Sequence, residues 1–162
     1  MSRGMRQAGK RFIGVISDTH GLVRPEAVAA LAGAERIIHA GDIGCPAVLT
    51  ALEAIAPVVA VRGNNDREAW AAAIPETAII EVHSLRLYVL HDVKTLDFDL
   101  ATAGFAGVIC GHSHRPRLEQ QAGIWFINPG SAGPRRFSLP VTVARLYVYA
   151  GRLTAELVEL HV

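Results

Sequence analysis

The chain has 162 residues, of which 51% are hydrophobic and 19% charged, with a formal net charge of +1. That length suits one domain burying roughly 70% of its unfolded surface, so no disulfide or metal staple is needed to hold a core. The near-neutral balance excludes a partner held by bulk charge alone, whether nucleic acid or anionic membrane. Two cysteines, Cys45 and Cys110, are too few for a disulfide framework and fit a reducing, cytoplasmic setting.

Residues 1–10, "MSRGMRQAGK", read as a flexible basic tail, and 11–162 as a single domain. The apolar run after the tail meets Asp18 too soon to be a signal-peptide core, and no apolar segment approaches the ~20 residues that span a bilayer. "RFIGVIS" predicts a strand, and "RPEAVAALAG" a helix with Pro25 and Glu26 in its first turn and Gly33 as its stop. "RIIHAGD" predicts a second strand, "CPAVLTALEAI" a helix opened by Pro46, and "PVVAVRGNND" a third strand. This β-α-β-α-β order calls for parallel strands, and in such sheets ligands sit beyond the carboxyl ends. Further on, "ETAIIEVH" and "LRLYVLHD" form a hairpin around His83-Ser84, "DFDLATAG" a short helix and "FAGVICG" a strand. "IWFINPGS", "VTVARLYVYA" and "RLTAELVELHV" read as antiparallel strands, the last two turned at Ala150-Gly151. The expected fold is α/β, with two facing mixed β-sheets flanked by helices.

The strand ends share a chemistry. They carry Asp18-Thr19-His20, Gly41-Asp42, Gly63-Asn64, His91 and Gly111-His112-Ser113-His114. In extended chain, residues two apart point to one side, so Asp18 can join His20 and His112 can join His114. Two pairs of this kind suit two metal ions ~3.5–4 Å apart. Each motif alone has a plainer reading; "RGNND" is ordinary turn chemistry. Together, however, four of the seven histidines meet two aspartates and an asparagine at five strand ends. Oxygen and imidazole donors without thiolate suit Mn, Fe, Co, Ni or Zn better than a structural zinc cage.

In order, "SDTHG", "HAGD", "RGNND", "LHD", "CGHSHRP" and "NPGS" resemble the calcineurin-like metallophosphoesterase superfamily, especially its small bacterial and archaeal phosphodiesterase branch. The resemblance runs from Phe12 to beyond Ser131. It implies an αββα sandwich and a hydrolase with two divalent ions, manganese favoured over nickel, cobalt, iron or zinc. Asp18, His20 and His114 would hold one ion, Asn64, His91 and His112 the other, and Asp42 would bridge them. With a bridging hydroxide such a core carries a charge of about +1, enough to attract a phosphodiester and attack its phosphorus in line. The implied substrate is a small phosphodiester or nucleotide-like compound.

Two departures bear on mechanism. Larger family phosphatases carry histidine in the motif Gly-Asn-His-Asp/Glu, where this chain has Asn65, which cannot deliver a proton at neutral pH. Diesters and activated esters are therefore favoured over alkyl monoesters. The small enzymes commonly have His-Gly where this chain has His91-Asp92, and Asp92 either faces the metals, orients a ligand histidine or is a plain loop residue. Arg62 and Arg115 adjoin ligand motifs and suit remote phosphate oxygens, whereas Arg117 and Arg136 read as surface groups. His39 reads as a supporting histidine, His83 and His161 as structural or exposed. Because the family resembles the retromer subunit, whose metal site is degenerate, the alternative is a metal-binding interaction scaffold with little catalysis. A homo-oligomer stays open, and the lack of a basic stripe with interleaved aromatics argues against a nuclease.

Overall fold

The computed structural model describes residues 11–162, so the expected tail at 1–10 lies outside the described residues. Among the described residues, ten strands form two five-stranded sheets. The first sheet has the order β10-β9-β1-β2-β3, built from β1 (Ile13–Ile16), β2 (Arg36–His39), β3 (Val58–Ala60), β9 (Thr142–Tyr149) and β10 (Arg152–Glu159). The second has the order β4-β5-β6-β8-β7, from β4 (Thr77–Val82), β5 (Leu85–Leu90), β6 (Gly107–Ile109), β7 (Arg117–Gln121) and β8 (Ile124–Asn128). Both sheets are mixed: β1, β2 and β3 run parallel, as do β5, β6 and β8, with antiparallel strands at the margins.

Alternation along the central strands builds two layers of core. Ile13 and Val15 of β1 and Ile38 of β2 turn inward against Leu87, Val89, Ile109 and Ile127 of the opposite sheet. Ile16 and Ile37 turn outward, onto α1 (Pro25–Leu31) and α2 (Pro46–Glu53). Burial on both faces explains why these strands read as continuous apolar runs. Both helices open on proline, whose missing N–H costs nothing at that position, and Gly33 follows α1 with φ +88°.

The two-sheet sandwich is as expected, and the structure corrects two expectations of individual elements. Both α-helices lie against the first sheet; the outer face of the second is covered by Val93, Leu96, Phe98, Leu100 and Phe105 from the segment after β5. There "DFDLATAG" makes turns instead of a helix: Phe105 N donates to Leu100 O at 3.0 Å and Gly104 takes φ +84°. Strand β8 pairs parallel with β6, and its antiparallel partner is β7, which the sequence did not announce. Among the described residues no helix is long and apolar enough to cross a membrane.

Candidate metal centre

All five motif-bearing segments leave parallel strands at their carboxyl ends, on one rim of the sandwich. The pairs converge for a different reason than extended alternation, however. Asp18 (φ 54°), His20 (φ 47°), Asp42 (φ 56°), His112 (φ 72°) and His114 (φ 62°) all adopt left-handed backbone. Such conformations are unfavourable for residues with a Cβ and persist only where surroundings impose them. Here the loops after β1 and β2 are laced together: Asp18 N donates to Gly41 O at 2.9 Å, His20 N to Asp42 O at 3.0 Å and Gly21 N to Ile43 O at 2.8 Å.

These kinks aim the side chains at one volume. Asp18 Oδ2 accepts from Ser17 Oγ at 2.7 Å and from His112 N at 3.1 Å, leaving Oδ1 for the centre. Around that oxygen lie Nε2 of His114 at 3.3 Å, of His91 at 3.9 Å and of His20 at 4.0 Å. Asp42 Oδ2 lies 3.3 Å from His91 Nε2 and 3.8 Å from His20 Nε2. Asp18 thus belongs to two groups of ligand atoms, with His20 and His114 on one side and with Asp42 and His91 on the other. His112 completes the second side, its Nδ1 3.1 Å from Asn64 Oδ1 and its ring centroid 5.1 Å from that of His91. All seven candidate ligands are therefore together.

The fit to cations is read from what these atoms lack. Asp18 Oδ1, His20 Nε2, His91 Nε2 and His114 Nδ1 are buried and have no hydrogen-bond partner among the described residues. An unpartnered buried polar atom costs about 1–3 kcal/mol, so such a concentration calls for a ligand. Glycines leave room for it: a Cβ on Gly63 would run into the Asp42 carboxylate, and one on Gly111 into Ser17 and Asp18.

Surrounding groups hold the donors in orientation and charge state. His91 Nδ1 donates to Ala40 O at 2.7 Å, which turns Nε2 inward. His39 accepts from Gly41 N at 3.1 Å and donates to Thr19 Oγ1 at 2.9 Å, whose hydroxyl donates to Ile43 O at 2.8 Å. Burial lowers the His39 pKa to about 4, so it stays neutral and supports the loops, as the sequence suggested. Burial opposes ionisation of Asp42, but the His91 ring, with Nε2 3.3 Å from Oδ2, and the Asn65 N–H outweigh it and bring its pKa to about 2.

Asn65 has an occupation the sequence did not reveal. Its backbone N donates to Asp42 Oδ1 at 2.9 Å and its Nδ2 to Asp42 Oδ2 at 3.1 Å, clamping both carboxylate oxygens. Asp66, also missed, is buried; Oδ2 accepts from Ile43 N at 3.1 Å and Gly63 N at 2.9 Å, and Oδ1 from Gly44 N at 3.1 Å. The only signal for it was an aspartate closing a Gly-Asn-Asn turn, whereas two of its three donors come from the loop after β2.

The remaining candidates line the rim. Arg62 pairs with Glu76 at 3.0 Å and borders a cavity of about 300 Å³ with Asn64, His91, Asp92 and His112. Asp92 Oδ1 accepts from Lys94 N at 3.0 Å, capping the 3-10 turn Val93–Thr95, and Oδ2 lies 3.7 Å from His112 Nε2. Arg115 is exposed, beside a second cavity. Burial pushes the Cys110 thiol up to about 12, leaving it inert packing.

A two-sheet sandwich with an aspartate–histidine cluster at the carboxyl rim of its parallel strands defines a class of metal-dependent phosphoesterases. Residues 12–151 match the calcineurin-like phosphoesterase superfamily domain, and the chain belongs to that family. It is 36% identical to a probable metallophosphoesterase of Methanothermobacter thermautotrophicus, over 91% of this chain and 92% of the relative. A phosphodiesterase of Methanocaldococcus jannaschii is 30% identical over 73% of this chain and 82% of its own. Among solved structures, Vps29 of Chaetomium thermophilum superposes with a TM-score of 0.75 at 19% identity, covering 93% of this chain and 97% of that one.

Proposed function

We propose that this chain is a dinuclear metal-dependent phosphodiesterase acting on a small or nucleotide-like diester. The observation that carries this reading is the convergence of unpartnered Asp18 Oδ1, His20 Nε2 and His91 Nε2. Asp18, His20 and His114 would hold one divalent ion, Asn64, His91 and His112 the other, with Asp42 between them. Bound there, such ions supply Lewis acidity toward phosphate oxygens and a nucleophile near neutral pH. Ser17 and the His112 N–H fix Asp18, and Asn65 fixes Asp42. Asn65 is tied to that carboxylate, and its amide is no acid near neutral pH, so the residue delivers no proton to a leaving oxygen. Esters with good leaving groups are thereby favoured, consistent with a relative named as a phosphodiesterase.

A comparison of mono- and diesters across Mn, Ni, Co, Zn and Mg, with His114→Ala as control, tests the reading. Bis-p-nitrophenyl phosphate should be cleaved faster than alkyl monoesters, with manganese among the most effective ions. Strong monoesterase activity beside inert diesters would overturn it. Uptake of metal without hydrolysis would favour the scaffold, in keeping with the structural likeness to Vps29.

Two further results are expected. Asn65→Ala removes half of the Asp42 clamp and should weaken metal binding roughly 10- to 100-fold, the usual size for a residue orienting a ligand; an unchanged calorimetric titration would leave the clamp to the backbone N–H alone. For His91, burial disfavours the charged ring, but the Asp42 carboxylate 3.3 Å from Nε2 and the charge of Asp18 outweigh it and raise its pKa from 6.5. Metal requires the neutral ring, so binding must expel the proton that His91 holds below its raised pKa. Affinity should therefore increase with pH through the window that starts near 6.5 and extends upward. Calorimetry in buffers of different ionisation enthalpy counts the released proton, and a pH-independent affinity would exclude His91 as a ligand.

A further inference from the structure

Two cavities meet at the edge formed by Asp92 and His112, one of about 300 Å³ and one of about 400 Å³. Their charges differ. In the first, Arg62 is tied to Glu76 at 3.0 Å, so the cation already has its counter-ion. The second reaches Lys94, Arg115 and Arg117. Arg117 is engaged, paired with Glu119 at 3.0 Å and stacked over Phe126 with its guanidinium carbon 4.8 Å from the ring centroid. Lys94 and Arg115 are bonded through their backbone N–H groups, to Asp92 Oδ1 and Ser113 Oγ, and among the described residues their side chains have no ion-pair partner. Two carboxylates, Asp92 and Glu119, also line this cavity, and Glu119 is already paired with Arg117.

Both cations sit on segments that carry candidate ligands, and both line the cavity that His112 borders. Lys94 follows His91 by three residues, in the turn capped by Asp92, and Arg115 directly follows His114. We propose that the second cavity is a subsite for an additional anionic group, a phosphate, carried on one arm of the diester. The substrate is then a phosphodiester with a pendant phosphate, while its other arm, in the cavity beside Arg62 and Glu76, which has no unpaired cation, is uncharged. This rests on the phosphodiesterase reading. The Arg115 fork suits two phosphate oxygens at once, and Lys94 adds a mobile point charge. Both are solvent-accessible, so each contributes a few-fold and not the hundredfold of a buried pair.

The probes are thymidine 5′-(p-nitrophenyl phosphate) and the same diester bearing a 3′-phosphate. The manganese-loaded enzyme should prefer the phosphorylated probe by roughly tenfold in kcat/KM. Lys94→Gln and Arg115→Gln should each cut that preference by about threefold, and the double variant should bring it near one. Each enzyme is compared with itself, so damage to folding or metal loading moves both probes together. Calorimetry with thymidine 3′,5′-bisphosphate against thymidine 5′-phosphate reads the subsite without turnover. A wild-type preference of one or less, or a preference the double variant retains, overturns the subsite and leaves the phosphodiesterase reading standing. No hydrolysis of either probe, with tighter bisphosphate binding that the variants lose, overturns the enzyme reading and keeps the subsite. Loss of both signals removes both.

Discussion

Asp42→Asn should lower kcat/KM on bis-p-nitrophenyl phosphate by a factor of about 1,000 or more while leaving the chain folded. The substitution is nearly isosteric, and asparagine tolerates the left-handed backbone at this position, where φ is 56°. What it removes is charge. With its pKa at about 2, Asp42 is fully ionised at any working pH, so the change deletes a whole negative charge from between the two ligand groups. It also sets an amide N–H₂ against donors already present, since Asn65 donates to both oxygens. Lewis-acid stabilisation of a phosphoryl transition state is worth several kcal/mol, and each 1.36 kcal/mol is a factor of ten in rate. Metal stoichiometry should drop in parallel, whereas the circular-dichroism melting curve in chelator should move little. Activity retained within about tenfold would take Asp42 out of the centre.

Asp66→Ala is expected to have the largest effect on stability of any change at the rim, on the order of 4 kcal/mol. Three backbone N–H groups, those of Ile43, Gly44 and Gly63, depend on its carboxylate. Hydrogen bonds to an ionised group contribute about 1.5–3 kcal/mol each, and the orphaned donors add a desolvation cost. For a domain of this size a loss of about 4 kcal/mol lowers Tm by roughly 10 °C and consumes a large part of a typical 5–15 kcal/mol stability. Asp66→Asn keeps one acceptor oxygen and should fall between the two. Urea unfolding gives the number, and a loss below about 1 kcal/mol would mean that the loops after β2 and β3 hold together without the carboxylate. Metal affinity should fall with stability, because the Asp66 bonds join the loop carrying Asn64 to the one carrying Asp42.

The gathering of the seven candidate ligands at one rim was legible because it depends on residue type and on position after a strand, both written in the chain. The strands β1 and β2 were legible as well, since burial on two faces leaves unbroken apolar runs. Strand β7 was not: Glu119, Gln120 and Gln121 are exposed on a sheet edge and show no apolar alternation. The segment "DFDLATAG" has helical composition, but Gly104 turns and Phe105 is drawn into the apolar cluster under β5 and β6, a tertiary effect that no local pattern announces. The roles of Asn65 and Asp66 were hidden for a similar reason. The Asn65 partner lies 23 residues away, and two of the three Asp66 partners lie 22–23 residues away, on a neighbouring loop.

The left-handed backbone at five candidate ligand positions has a consequence for how this architecture can drift. Aspartate and asparagine share a tolerance for that conformation, so exchanging one for the other alters charge without asking the loops to refold. The hydrogen bonds that lace Asp18 to Gly41 and His20 to Asp42 run through main-chain atoms and survive such an exchange. Shape and catalysis are therefore under separate control at this rim. A lineage can silence the chemistry by neutralising one carboxylate and still inherit the surface intact, which gives a physical route between hydrolases and non-catalytic proteins of one fold.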